Sequence, residues 1–214
     1  MNINIFSKLT ELSNTPLGYF ELIAVLVIIL CFCAILISII IDFIKFDSDN
    51  RTKQKKRSIV ATGTMFLFFI CFYLLLKFKI GTIEINSLYI KLIFVSIGLI
   101  IIIAGSVINI WGRFNLGKNW ANHIKIYQNH TLVKEGVYKL VRHPLYASLI
   151  WIFYGACLVY ANYYAFLINT FVFIPFMYYR AKQEEELLKK EFSDYNEYRL
   201  NVGMFFPKLL KLLK

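Results

Sequence analysis

The sequence predicts an all-α, polytopic membrane protein, and three observations predict it. Hydrophobic residues make up 58% of the 214 positions with a mean hydropathy of +0.59, the apolar residues gather in blocks of bilayer length, and the basic residues gather between alternate blocks. A hydrocarbon core of roughly 30 Å takes about 20 apolar residues of helix to cross, because lipid offers the backbone no hydrogen-bond partner.

Three blocks, 19–41, 59–78 and 88–111, reach that length and are expected as the first three spans. A fourth block, 145–179, is interrupted only by Ala161, Asn162, Tyr163 and Tyr164. A tight turn there makes it a helical hairpin and brings the expected count to five transmembrane helices. Pro144 stands at the entrance to the fourth span, where a missing backbone donor costs nothing. Beyond the fifth span, 182–200 has helical apolar spacing at Leu187, Leu188, Phe192, Tyr195 and Tyr198, the mark of a cytoplasmic C-terminal helix. The stretch 205–214 sets Lys208, Lys211 and Lys214 beside Leu209, Leu210, Leu212 and Leu213 and is expected as a basic amphipathic helix on the inner leaflet. The first block exceeds a signal-peptide core and lacks a basic leader and a small-residue cleavage pattern, so it is expected to be retained.

Charge sets the orientation. Segments 42–58, 112–143 and 180–214 hold 20 of the 24 Lys and Arg residues, which predicts an outside N-terminus and a cytoplasmic C-terminus. The net charge of +11 is then a topology signal. The run K-Q-K-K-R flanks a membrane, so the bilayer is the expected partner and nucleic acid is not. Cys31, Cys33, Cys71 and Cys157 fall inside predicted spans as small apolar side chains, and neither a disulfide framework nor a metal site is expected. The chain reads as a single membrane domain, 1–214, with a three-helix part at 1–112 and a chemistry-bearing part at 113–214.

Polar chemistry concentrates in two segments. Between spans three and four lie Arg113, Trp120, His123, His130, Gly136, Tyr138, Arg142 and His143, groups that stack on and hydrogen-bond a polar ligand. After span five come Arg180, Glu184, Glu185 and Glu186; Arg180 and Glu184, four apart, project from one helical face. Alone, His143 before Pro144 reads as a helix cap, Arg180 as a cation snorkelling to the headgroups, and His130 as a loop hydrogen-bonder. Their combination at one membrane depth argues for a site. The sequence contains no Gly-x-Gly pair, which excludes a glycine-rich dinucleotide loop.

The strip G-V-Y-K-L-V-R-H-P-L-Y-A at 136–147, the apolar hairpin, then R-A-K-Q-E-E-E-L-L and F-S-D-Y-N-E-Y-R…F-P resemble the isoprenylcysteine carboxyl methyltransferase family and its phospholipid methyltransferase relatives, over 113–207. The resemblance implies an integral membrane enzyme that takes a methyl group from S-adenosylmethionine and releases S-adenosylhomocysteine. It implies Tyr138, Arg142, His143, Pro144, Tyr146 and Glu185 as cofactor-binding residues, with His123 beside them, and Arg180 and Glu184 as the pair at the transfer site. Which of Glu184, Glu185 and Glu186 meets a ligand stays open in sequence. A prenylcysteine-like or other lipophilic carboxylate is the first expectation for the acceptor, and a phospholipid amine or a small thiol the second. A carboxylate with a pKa of about 3.3–3.7 arrives ionised and needs no base, whereas an amine or thiol needs one, from Glu184 or His143. In another class altogether, a small transporter or membrane scaffold would use the same polar groups only for structural pairing.

Overall fold

The computed structural model describes residues 16–46, 52–56, 59–119, 124–127 and 131–208. In order these form α1 (Pro16–Phe46), β1 (Thr52–Lys56), α2 (Ile59–Lys77), α3 (Leu88–Leu116), β2 (Ile124–Tyr127), α4 (Pro144–Val159), α5 (Tyr163–Ile168), α6 (Ile174–Glu191) and α7 (Tyr195–Asn201). Single 3-10 turns occupy Gly117–Asn119 and Gly136–Lys139, and a π turn at Asn169–Phe173 joins α5 to α6. Two stretches, Gly18–Lys45 and Leu88–Asn119, are long and apolar enough to cross a membrane; Gly63–Lys77 and Pro144–Val159 are shorter apolar helices. Large apolar side chains on α1, α2, α3 and the hairpin, among them Phe32, Phe66, Ile100 and Phe171, are exposed, a surface suited to a lipid solvent.

The closest helix pair is α3 on α4. Gly98, Gly105 and Gly112 recur every seven residues on α3, nearly two turns, so they form one stripe. A Cβ at Gly98 would stand 2.6 Å from the Gly155 carbonyl oxygen, and one at Gly105 2.7 Å from Ile152 Cγ1. Gly98→Leu is therefore expected to destabilise the fold by about 1–3 kcal/mol, measured by thermal unfolding in detergent, while Gly63→Leu, with nothing within 4 Å of its added Cβ, leaves the midpoint unchanged.

Helix α1 runs parallel to α3 and is pinned at both ends, by Lys91 to Glu21 at 2.5 Å and Arg113 to Asp42 at 2.9 Å. Aromatic rings join α2 to the hairpin: Phe68 stacks on Phe173 at 4.5 Å, and Phe153 meets Phe72 at 4.7 Å. Asn162 fixes the hairpin turn. Its Oδ1 accepts from Ala165 N at 2.8 Å, and its Nδ2 donates to Ile80 O at 3.0 Å and Thr82 Oγ1 at 3.2 Å.

Most elements match the sequence reading, including the turn between Val159 and Tyr163 and Pro144 at the start of α4. Three features differ. Strands β1 and β2 pair antiparallel, Lys55 opposite Lys125, where the sequence reads only as loop. The expected helix over 182–200 breaks between α6 and α7, where Phe192 turns extended, and Asp194 starts the next helix. Finally, 205–208 is not helical: Gly203 O and Met204 O accept from the backbone N–H groups of Arg142 and His143, which draws this segment out along the strip 141–143. Residues 209–214 of the expected amphipathic helix lie outside the described residues.

Candidate active site

The 3-10 turn at 136–139, the start of α4, the second half of α6 and α7 meet at one end of the bundle. Gly136, at φ +58, lets the chain turn tightly beside Asn115, whose Oδ1 accepts from Val137 N at 3.3 Å. That turn buries Tyr138, whose carbonyl oxygen accepts from Tyr198 Oη of α7 at 2.6 Å. Pro144 then begins α4 and leaves His143 at the cap position without helical geometry. As a result, the His143 ring lies over the facing stretch of α6.

His143 sits between two carboxylates. Its Nδ1 is 3.6 Å from Glu184 Oε2 and its Nε2 is 3.3 Å from Glu185 Oε1. The Tyr146 ring stacks on the imidazole, centroids 5.6 Å apart and 10° from parallel, and Phe205 meets its edge at 6.3 Å. Glu185 is almost wholly buried and accepts from Arg142 Nε at 2.9 Å and Nη2 at 2.7 Å. Arg142 Nη1 donates to the carbonyl oxygens of Arg199 and Val202. Arg142 is thus committed to tying Glu185 to the end of α7, a positioning duty. Arg180 differs: among the described residues it pairs with no carboxylate, its guanidinium lies 6.0 Å from the Tyr146 ring centroid, and Nη1 approaches Met65 Sδ of α2 at 3.6 Å.

The electrostatics follow from this packing. Burial disfavours charge on His143, but hydrogen bonds and attraction from Glu184 and Glu185 outweigh it and raise its pKa above the ordinary 6.5. Burial likewise opposes charge on both carboxylates, yet His143 holds Glu184 below its ordinary 4.5, helped by Tyr146 and Arg180, and His143 with Arg142 lowers Glu185 to about 2. Burial first, then nearby Glu184, keeps Tyr138 neutral far above 10.0.

A pH dependence follows. The raised His143 contributes stability that is complete below pH 6.5 and lost as pH rises through its folded value; the lowered carboxylates contribute stability complete above pH 4.5 and lost as pH falls through theirs. All three contributions coincide between those two values. The melting temperature of the wild type is expected to fall on the alkaline side of that window, and His143→Asn to abolish this alkaline limb; a limb unchanged in the variant contradicts the assignment.

The structure therefore brings together Tyr138, Arg142, His143, Pro144, Tyr146, Arg180, Glu184 and Glu185. Of the three glutamates, Glu184 and Glu185 face His143, and Glu186 is exposed. His123, like Trp120 and His130, lies outside the described residues. Sequence reasoning passed over Arg199, 3.8 Å from Glu185, and Met65 and Phe205 at the margin. Only Arg199 carried a signal, as a basic residue late in a polar helix.

Comparison with known proteins bears on the same region. Residues 97–190 match the isoprenylcysteine carboxyl methyltransferase (ICMT) family. A protein-S-isoprenylcysteine O-methyltransferase of Saccharomyces cerevisiae is 32% identical over 114 residues, 52% of this chain and 48% of that protein. A probable protein-S-isoprenylcysteine O-methyltransferase of Oryza sativa subsp. indica is 34% identical over 115 residues, 52% of this chain and 60% of that protein. These alignments span about half the length of the curated relatives. The solved structure of a eukaryotic intramembrane Ras methyltransferase, ICMT, shares the fold with a TM-score of 0.53 at 23% identity, covering 71% of this chain and 53% of that one.

Proposed function

We propose that this chain, which matches the ICMT family over residues 97–190, is an integral membrane, S-adenosylmethionine-dependent carboxyl methyltransferase acting on a prenylcysteine-like or other lipophilic carboxylate. In this reading five helices cross the bilayer, the last two as the hairpin, with the N-terminus outside and the site on the cytoplasmic face. The observation that carries it is the contrast within one nook: among the described residues Arg180 makes no ion pair with a carboxylate, while His143 and Glu184 are held together at 3.6 Å.

A sulfonium donor with an amino-acid tail and an adenosine needs anionic, cationic and aromatic neighbours, and the residues present fit it. Glu184 offers a partly exposed carboxylate, Tyr146 an aromatic face, and Arg180 Nε and Gln183 Oε1 are buried polar atoms without a partner among the described residues. Such orphaned groups are costly unless a ligand completes them. When bound, the donor supplies an electrophilic methyl group.

The chain's own residues then orient and exclude water. Arg142 fixes Glu185, Glu185 and Glu184 fix the His143 ring, and His143 supports Tyr146. Arg180 would hold the acceptor carboxylate beside the donor's methyl group, and transfer would turn a cation and an anion into neutral products, a change favoured where water is scarce. No proton has to move. An amine or thiol acceptor would need a base, and the candidates serve poorly: Glu184 is held below 4.5, and His143 is stabilised as the cation between two carboxylates.

Incubation of the purified protein with methyl-labelled S-adenosylmethionine and a farnesylcysteine analogue, phosphatidylethanolamine or a thiol tests the reading. Label released by alkali as volatile methanol, from the farnesylcysteine analogue alone, is the expected result. Label that resists alkali on the amine or thiol overturns the choice of acceptor.

A further inference from the structure

The ion pair between Asp42 and Arg113 begins a buried polar chain that crosses three helices beside the site. Asp42 of α1 accepts from Arg113 Nη1 of α3 at 2.9 Å; Arg113 Nε donates to Asn109 Oδ1 at 3.0 Å; Asn109 Nδ2 donates to Ser148 Oγ of α4 at 2.8 Å; and Ser148 Oγ donates to Leu145 O at 2.9 Å. Asn109 Nδ2 also reaches Leu145 O at 3.4 Å. Asp42, Asn109 and Ser148 are buried, and Gly112 on the same face of α3 lets Pro144 and Leu145 pack close. Such groups are costly inside a bundle unless every member is satisfied, and here each has its partner. The end of the chain is the first turn of α4, one residue from Tyr146 and two from His143.

We infer that Asp42, Arg113, Asn109 and Ser148 form a positioning device that sets α4 so that His143 and Tyr146 meet Glu184, and that α1, which lies outside the matched residues 97–190, is thereby a working part of the active site. This rests on the methyltransferase reading. The geometry separates the device from an ordinary packing contact. Leu145 O receives two polar contacts from the chain, so a shift of Arg113 is passed to the turn that aims both rings. A misplacement of about 1 Å in an aligned site costs on the order of a hundredfold in rate, so a modest loosening is measurable.

The test compares wild type with Asp42→Asn, Ser148→Ala and the exchanged pair Asp42→Arg with Arg113→Asp. Affinity for S-adenosylhomocysteine and its pH midpoint are read by calorimetry, and folded fraction by thermal shift. Asp42→Asn and Ser148→Ala are expected to bind the product at least about fivefold more weakly per folded molecule and to move the pH midpoint, because His143 is no longer held against Glu184; the exchanged pair recovers part of the affinity. If both single variants keep wild-type affinity and midpoint per folded molecule, the chain is only scaffolding and the inference is overturned. Should Asp42→Asn not fold, Ser148→Ala, a deletion of one oxygen, decides alone. Wild type that binds no product defeats the methyltransferase reading instead, a distinguishable outcome.

Discussion

Glu185→Ala is expected to lower stability by about 3–5 kcal/mol, the largest effect of any single substitution at this site. The Arg142 and Glu185 side chains are 6% and 2% exposed, so the substitution leaves a guanidinium in a desolvated place with no counter-charge. Arg142 also holds the carbonyl oxygens of Arg199 and Val202, so the end of α7 loosens with it. Glu185→Gln keeps the shape and an acceptor and is expected to cost less. Thermal or denaturant unfolding in detergent checks both. A Glu185→Ala protein within about 1 kcal/mol of wild type would mean that the pair is not buried as described.

Arg180→Ala is expected to lower kcat by about a hundred- to a thousandfold with little change in stability, the size seen when one preorganised charged or hydrogen-bonding group is removed from a reacting anion. Its guanidinium makes no ion pair with a carboxylate among the described residues, so no direct salt bridge is broken. Arg180→Lys keeps the charge but loses the planar fork, and is expected to recover only part of the rate. Turnover per folded molecule separates the roles. Were Arg180 only an anchor at the headgroups, both variants would turn over as the wild type does.

Much of this was legible in the chain itself. Pro144 signalled a helix start and so the placement of His143, and the spacing of Arg180 and Glu184 signalled a shared face, because both are local consequences of helix geometry. Local signals could not show the pairing of Asp42 with Arg113, 71 residues apart, since only the parallel packing of α1 on α3 creates it. For the same reason the two-stranded ribbon went unseen: polar T-K-Q-K-K has no apolar alternation, and its partner strand lies beyond two helices. At the C-terminal end, residues 205–208 are not helical because backbone hydrogen bonds from Arg142 and His143 to Gly203 and Met204 draw out the chain just before them, while 209–214 lie outside the described residues. Long-range hydrogen bonding overrode local periodicity.

The central claim is that the nook around His143, Tyr146, Arg180 and Glu184 clasps a sulfonium methyl donor. Calorimetric titration of the detergent-solubilised protein with S-adenosylhomocysteine tests it most directly. Saturable one-to-one binding in the wild type, weakened at least tenfold per folded molecule in Glu184→Ala, is the predicted result; absence of binding in the wild type, or equal binding by the variant, contradicts it.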